Sequence, residues 1–260
     1  MDINEILALI CAAEREGGEL MLEARGILAE RKSNRRDVVT AYDRRVQELI
    51  IGRVAAALPG ARFFCEENDR HDDLRAEHVF IIDPIDGTMN FVHGFHHSCI
   101  SVAYMGRGEL KCAAVLNPYV DEQFTAVKGG GAFLNGRPIQ VSGAGLKDSL
   151  VCCGTTPYNT ELADRCFALM KRAFLAGLDI RREGAAALDL CSVAAGRAGV
   201  YFELGLSLWD YAAGKLIVEE AGGVCRTMEN APLPLDPSRP SVLAGSPKAV
   251  EEFLALAEKA

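Results

Sequence analysis

Val79-Phe80-Ile81-Ile82-Asp83-Pro84-Ile85-Asp86-Gly87-Thr88-Met89-Asn90-Phe91 is the stretch on which the reading of this chain turns. Its first four residues are apolar and two of them are β-branched Ile, the pattern of a buried strand. The strand runs into a carboxylate, Asp83, and then into a turn, where Pro84 restricts φ and Gly87 tolerates φ > 0. The turn carries a second carboxylate, Asp86, and ends in Thr88, placed to cap a following helix. Asp-Pro and Asp-Gly are ordinary turn chemistry. Two acids at a strand end, beside the N–H groups of a helix start, also suit a hard cation and a phosphate held together.

Upstream, apolar residues Ile3, Ile6, Leu7, Ile10, Ala13, Gly17 and Leu20 recur at helical spacing and predict a helix over 3–24. The basic run Arg31 to Arg36 reads as a loop. A second helix is expected from Ala41 to Leu58, with Val46, Leu49, Ile50 and Val54 inward and Pro59-Gly60 as its stop. From Arg62 to Val141 the texture changes to short β runs at 63–65, 79–82, 98–104, 112–116, 123–127 and 139–141. Turn signals at Gly106-Arg107-Gly108, Asn117-Pro118 and Asn135-Gly136 make this a largely antiparallel meander. After Gly143-Ala144-Gly145 strands and helices alternate, as in a layered α/β half. Strands are expected at 150–153, 179–181, 200–202, 224–227 and 242–244, and helices at 160–175, 185–197, 210–221 and from 247. The chain therefore divides into an α+β half, 1–145, and an α/β half, 146–260.

At 260 residues there is enough chain for a substantial core. The acidic start, Met1 to Glu5, lacks a basic n-region, so no signal peptide is expected. No apolar run is long enough to predict a membrane span. Nine cysteines, an odd number with no Cys-x-x-Cys pair, read as reduced, buried thiols of a cytoplasmic protein. The net charge of −8 argues against a nucleic-acid ligand. It also opposes an anionic substrate unless bound cations reverse the sign locally.

Further acids lie at element ends. Glu66-Glu67 follows an aromatic strand and, taken alone, reads as a solvated loop. Asp210 opens a helix and, taken alone, reads as its N-cap, and Thr40 with Asp43 has capping-box spacing. If Glu66, Asp83, Asp86 and Asp210 share one cleft, each close pair repels by up to ~4 kcal/mol at an effective dielectric near 20. Divalent cations would remove that cost, and an oxygen-only set favours Mg²⁺ over Zn²⁺. His93, His96 and His97 show no ligand pattern.

These blocks together resemble the inositol monophosphatase family. Asp83-Pro84-Ile85-Asp86-Gly87-Thr88 with Asn90-Phe91 is similar to one family signature, and Trp209-Asp210 with Ala212-Ala213-Gly214 to the other. Glu66-Glu67 falls at its Gly-Glu-Glu, and Lys32 with Asp37 to Thr40 and Asp43 looks like its N-terminal loop. Gly131 to Ile139 is similar to its central hairpin, and Ala186 to Leu190 to its late helix.

The resemblance implies a five-layered α/β/α/β/α sugar-phosphatase fold, Mg²⁺ dependence with two or three ions per site, lithium sensitivity and a homodimer. It implies that Glu66, Asp83 and the Ile85 carbonyl hold one ion, that Asp83, Asp86 and Asp210 hold another, and that Glu66 borders a third site. It assigns Thr88 and Asp43 to the attacking water, and the N–H groups of Gly87 and Thr88 to the phosphate. Gly184, Ala185, Ala186 and Glu203 would face the alcohol. There are three departures from the family pattern: Cys65 stands for Gly, Ala185 for Ser or Thr, and Ser207-Leu208 for Lys-Pro.

The expected activity is hydrolysis of myo-inositol monophosphate by metal-activated water. The alternatives are a related phosphatase of fructose 1,6-bisphosphate, histidinol phosphate or 3′-phosphoadenosine 5′-phosphate, and a non-catalytic partner-binding protein. The expected partner is a small phosphorylated alcohol or sugar, with no nucleic acid and no membrane.

Overall fold

A computed structural model describes residues 1–32, 38–67 and 72–257. The sequence reading of a loop at 31–36, and of Asp37, falls largely outside these residues. In chain order the elements are α1 (Ile3–Glu23), β1 (Ala29–Arg31), β2 (Val38–Thr40), α2 (Ala41–Ala57), β3 (Arg62–Cys65), β4 (Val79–Asp86) and α3 (Thr88–His93). The meander follows as β5 (Cys99–Gly106), β6 (Glu109–Asn117), β7 (Glu122–Val127), β8 (Gly131–Leu134) and β9 (Arg137–Ile139). The remainder is β10 (Leu150–Cys153), α4 (Ala163–Ala176), β11 (Asp179–Arg181), α5 (Ala186–Ala194), β12 (Val200–Glu203), α6 (Leu208–Glu220), β13 (Val224–Arg226), β14 (Val242–Gly245) and α7 (Pro247–Ala257).

One sheet runs β3-β4-β5-β6-β7-β8-β9, antiparallel except for the parallel β3–β4 pair. A second, mixed sheet runs β11-β10-β12-β14-β13. Helices α1 and α2 cover the outer face of the first sheet, α5 and α6 fill the space between the sheets, and α4 and α7 cover the second. This is the five-layered α/β/α/β/α arrangement.

Strand periodicity explains the layers. On β4, Phe80 and Ile82 enter the core under α1 and α2, whereas Val79 and Ile81 enter the core shared with α5 and α6. On β12, Val200 and Phe202 face α4 and α7, and Tyr201 faces the central helices. With both faces covered, alternation of polar and apolar residues disappears, which is why these strands read as continuous apolar runs. The central core draws on residues from both halves of the chain. Gly214 lets α6 approach α5 closely, since a Cβ there would stand 2.5 Å from Leu190 Cδ1.

Two helix starts differ from the sequence reading. Thr88 is the first residue of α3, not its cap; the cap position is Gly87, whose φ of +83° carries the strand directly into the helix. Asp210 is likewise not the cap of α6. Ser207 is, with Asp210 three residues on completing a capping box, because Ser and Asp are both strong caps and the pattern alone does not choose. Smaller shifts place β9 at Arg137–Ile139 instead of 139–141, and the inward stripe of α1 at Ile6, Ile10, Ala13, Glu14, Gly17, Gly18 and Met21 instead of ending on Leu20.

Candidate active site

All eight residues of β4 are buried. On a regular strand, acids three positions apart would face opposite sides. Here the register slips: Asp83 pairs with Ser101 and Asp86 with Cys99, so three steps on β4 match two on β5. This bulge puts both acids on the face turned toward α5 and α6. Pro84, inside the irregular segment, fits a place where the ladder is already interrupted.

The other acids arrive at element ends. Asp210 sits in the first turn of α6, with Oδ2 accepting from the Ser207 N–H at 2.7 Å. Glu66 lies just past β3, its N–H donating to Ile82 O at 3.1 Å. Its Oε1 accepts from Lys32 Nζ at 2.9 Å, and the same ammonium pairs with Glu67. Glu203 ends β12; Oε1 accepts from Thr156 N–H and Oε2 from Tyr201 O–H, each at 2.7 Å. Glu66, Asp83, Ile85, Asp86, Gly87, Thr88, Gly184, Ala185, Ala186, Glu203 and Asp210 all line one cleft.

Asp43 stands one shell back. It is fully buried in the capping box of α2, where Oδ2 accepts from the Thr40 N–H at 2.8 Å and from the Thr40 hydroxyl at 2.5 Å. Its Oδ1 reaches Thr88 Oγ1 at 3.2 Å, and that hydroxyl also lies 3.0 Å from Ile85 O. Thr88 thus joins a buried carboxylate to the cleft.

The electrostatics match this crowding. Burial, then the charges of Glu66, Asp86 and Asp210, hold the Asp83 carboxyl well above the usual range. Asp210 is raised by burial and by Glu66 and Asp86. Asp86 is pushed up to about 7 by burial, against the N–H groups of Ala187 and Ala186 that favour its charge. Burial likewise lifts Asp43 to about 6, opposed by its bonds from Thr40.

Among the described residues Asp83, Asp86 and Asp210 make no ion pair. Their all-oxygen donor set and their mutual repulsion fit a hard divalent cation. As they stand the side chains are not closed into a cage: among the described residues, no three His, Cys, Asp or Glu side chains are grouped to hold an ion.

The model of one protein family, inositol monophosphatase, matches residues 2–260. The chain belongs to the inositol monophosphatase family. It is 36% identical over 256 residues to the putative Nus factor SuhB of Neisseria meningitidis, covering 97% of each chain. It is also 36% identical over 211 residues to an inositol-1-monophosphatase of Mesorhizobium japonicum, covering 81% of this chain and 79% of the relative. The crystal structure of the extragenic suppressor protein SuhB from Bartonella henselae superposes with a TM-score of 0.91 at 30% identity, covering 98% of this chain and 99% of that one. The inositol monophosphatase family is a family of metal-dependent phosphatases.

The three departures from the family pattern take up structural positions. Cys65 is buried at the end of β3, and burial pushes its thiol up to about 12, so it is inert. Ala185 is the cap residue of α5 and offers no side-chain bond. Ser207 caps α6, and its hydroxyl accepts from Arg239 Nε at 3.0 Å.

Several cleft-lining residues escaped the sequence reading as site residues, among them Asn90, Arg182 and Asp189. Asn90 Nδ2 donates to both His97 O and Glu183 O at 2.7 Å, tying the turn after α3 to the segment before α5. Arg182 Nη2 donates to Thr155 Oγ1 at 2.9 Å and lines the rim. Asp189, buried inside α5, also lines the cleft. Its signal was present: α5 is apolar almost throughout, so an acid within it has no solvent face to occupy.

Proposed function

We propose that this protein is a Mg²⁺-dependent phosphomonoesterase that hydrolyses myo-inositol monophosphate to inositol and phosphate. The observation that carries the reading is the meeting of Glu66, Asp83, Asp86 and Asp210, remote in sequence, in one cleft beside the Gly87 turn. Glu66, Asp83 and the Ile85 carbonyl are assigned to one ion, Asp83, Asp86 and Asp210 to a second, and Glu66 to the border of a third. Bound there, divalent cations supply the charge that neutralises the acids, holds the phosphoryl oxygens and stabilises the leaving alkoxide.

The chain's own residues do the rest. The first-turn N–H groups of Gly87 and Thr88 face the phosphate, with no intrahelical acceptor to claim them. A water donating to Thr88 Oγ1 is oriented for attack on phosphorus, and its proton passes through that hydroxyl toward Asp43 Oδ1 as the P–O bond to the alcohol breaks. Gly184, Ala185, Ala186 and Glu203 form the wall met by the alcohol. Lithium inhibition and a homodimer accompany this reading, and so does a cytoplasmic location, in keeping with nine free thiols. Among the described residues no helix is long and apolar enough to cross a membrane.

The test is phosphate release from a panel of esters with and without Mg²⁺. The expected result is Mg²⁺-dependent hydrolysis with myo-inositol 1-phosphate preferred. Preference for fructose 1,6-bisphosphate, histidinol phosphate or 3′-phosphoadenosine 5′-phosphate overturns the substrate, and release that ignores Mg²⁺ overturns the mechanism. The Nus factor name of the Neisseria relative, matched over 97% of this chain, favours a second reading in which the same fold also binds a partner. That role would survive in an Asp86→Asn variant that no longer releases phosphate.

A further inference from the structure

Asp189 is the acid of α5, 1% exposed and one turn in from the helix start. Its position is tied to the reaction centre through the backbone. The Ala187 N–H donates to Asp86 Oδ2 at 2.7 Å, and the Asp189 N–H to Ala185 O at 3.0 Å. The start of α5 is thereby pinned to β4. From there Asp189 lines the cleft with Gly184, Ala185, Ala186 and Glu203, and its Oδ1, fully buried, has no hydrogen-bond partner.

Buried polar atoms are nearly always bonded, so an orphan on the wall of a substrate cleft points to a ligand group. Glu203, the acid that the family resemblance turns toward the alcohol, is a poorer candidate for a new bond. Each of its oxygens already receives a donor, from Thr156 and from Tyr201. Asp189 has an oxygen to offer. Burial, reinforced by the charges of Glu183, Asp86 and Glu203, holds its carboxyl above the usual range, against the Cys152 thiol, which favours its charge. An unpartnered carboxyl oxygen accepts a hydrogen bond, which a substrate hydroxyl can donate and an ether or ketone oxygen cannot.

We infer that Asp189 Oδ1 binds a hydroxyl on the alcohol half of the substrate and makes the site selective for phosphate esters of polyols over esters of alcohols with no further hydroxyl. This rests on the phosphatase reading and adds to it a residue that sets specificity.

The experiment compares wild type, Asp189→Ala and Asp189→Asn, all with Mg²⁺, on myo-inositol 1-phosphate and on p-nitrophenyl phosphate, which has no hydroxyl to bind. Asp189→Ala is expected to lower kcat/KM for the inositol ester about tenfold, the loss of one hydrogen bond, mainly through KM. Turnover of p-nitrophenyl phosphate should stay within about twofold, showing that the variant folds and keeps its chemistry. Asp189→Asn, which still accepts, should recover most of the loss. Equal losses on both esters, or no loss on either, overturn the inference and leave the phosphatase reading intact. If the wild type hydrolyses neither ester, that reading itself fails. Asp189 is then judged by direct binding of myo-inositol 1-phosphate, and equal affinity in wild type and Asp189→Ala, including no binding by either, overturns it too.

Discussion

Replacing Gly154 by Ala should damage the protein through one neighbour. Gly154 follows β10, and its N–H donates to Phe202 O at 3.0 Å. Its φ lies outside the left-handed region, so alanine can adopt this backbone. The obstacle is spatial: a Cβ would lie 1.8 Å from Glu203 Oε2, 2.1 Å from Cδ and 2.6 Å from Oε1. Glu203 is 7% exposed and cannot swing into solvent, so the carboxyl has to leave both Tyr201 and Thr156. Two hydrogen bonds of about 1 kcal/mol each, with about 1–3 kcal/mol for forced repacking, make an expected destabilisation of about 3–5 kcal/mol.

Urea unfolding reads this as a lowered midpoint at unchanged slope. The decisive comparison is the same substitution in a Glu203→Ala background. There the clash is gone, and exchanging Gly for Ala should be neutral or stabilising by about 0.4–1 kcal/mol through the unfolded chain. Nearly all the cost should therefore appear as coupling in the double-mutant cycle. An equal loss in both backgrounds would refute the placement of Glu203 against Gly154, and with it the geometry of the alcohol wall.

Other outcomes follow from the buried acids. Asp43, lifted to about 6 by burial, must be ionised to take a proton, so kcat should fall with a limb near pH 6 as pH drops. Asp43→Asn should lose the limb and about 10²–10⁴-fold in rate; a limb that persists in that variant belongs to another group. Glu14, on α1, accepts from Gln123 Nε2 at 2.5 Å, while Glu14 Oε1 and Gln123 Oε1 are both buried without a hydrogen-bond partner. Burial raises this acid's folded pKa, so its site is least costly below the unfolded value and stability falls as pH rises through the window between the two, by up to about 1.4 kcal/mol per pH unit. Glu14→Gln keeps the pairing without a proton, and urea midpoints from pH 5 to 9 should show a flatter profile than wild type; parallel profiles would place the dependence elsewhere. Mg²⁺ should raise the Tm of the wild type, whereas Asp83→Asn should be more stable than wild type without metal and lose the Mg²⁺-induced rise. A full rise in that variant removes Asp83 from the ligands.

The layers were legible because double burial leaves unmistakable runs: Val79 to Ile82, Ser98 to Tyr104 and Cys112 to Leu116 each fall within or across an observed strand. What sequence spacing could not supply was the bulge. Read as a regular strand, Asp83 and Asp86 diverge; only the pairing of Asp83 with Ser101 and Asp86 with Cys99 sets them on one face. Helix starts were ambiguous wherever two good caps stood near each other, as at Ser207 and Asp210. Buried acids inside helices were missed for a different reason. Glu14 and Asp189 occupy core positions of α1 and α5, and an acid on an apolar face is easily taken for an interruption of the pattern when it is a member of the buried set.

The location of the cleft also follows from how the middle layer is built. α5 and α6 both begin beside the inner face of β4, with Asp86 bonded to the start of α5 and Asp210 held in the first turn of α6. Each helix start carries about half a positive charge, which is where a protein can most cheaply keep a carboxylate out of water. Two such ends cannot neutralise Asp83, Asp86, Asp189, Glu203 and Asp210 together, and the carboxyls of Asp83, Asp189 and Asp210 remain far above their ordinary range. The fold therefore concentrates more acid at this point than its own donors can offset. On the proposed reading, a bound cation facing a phosphate is what would offset that concentration of acid.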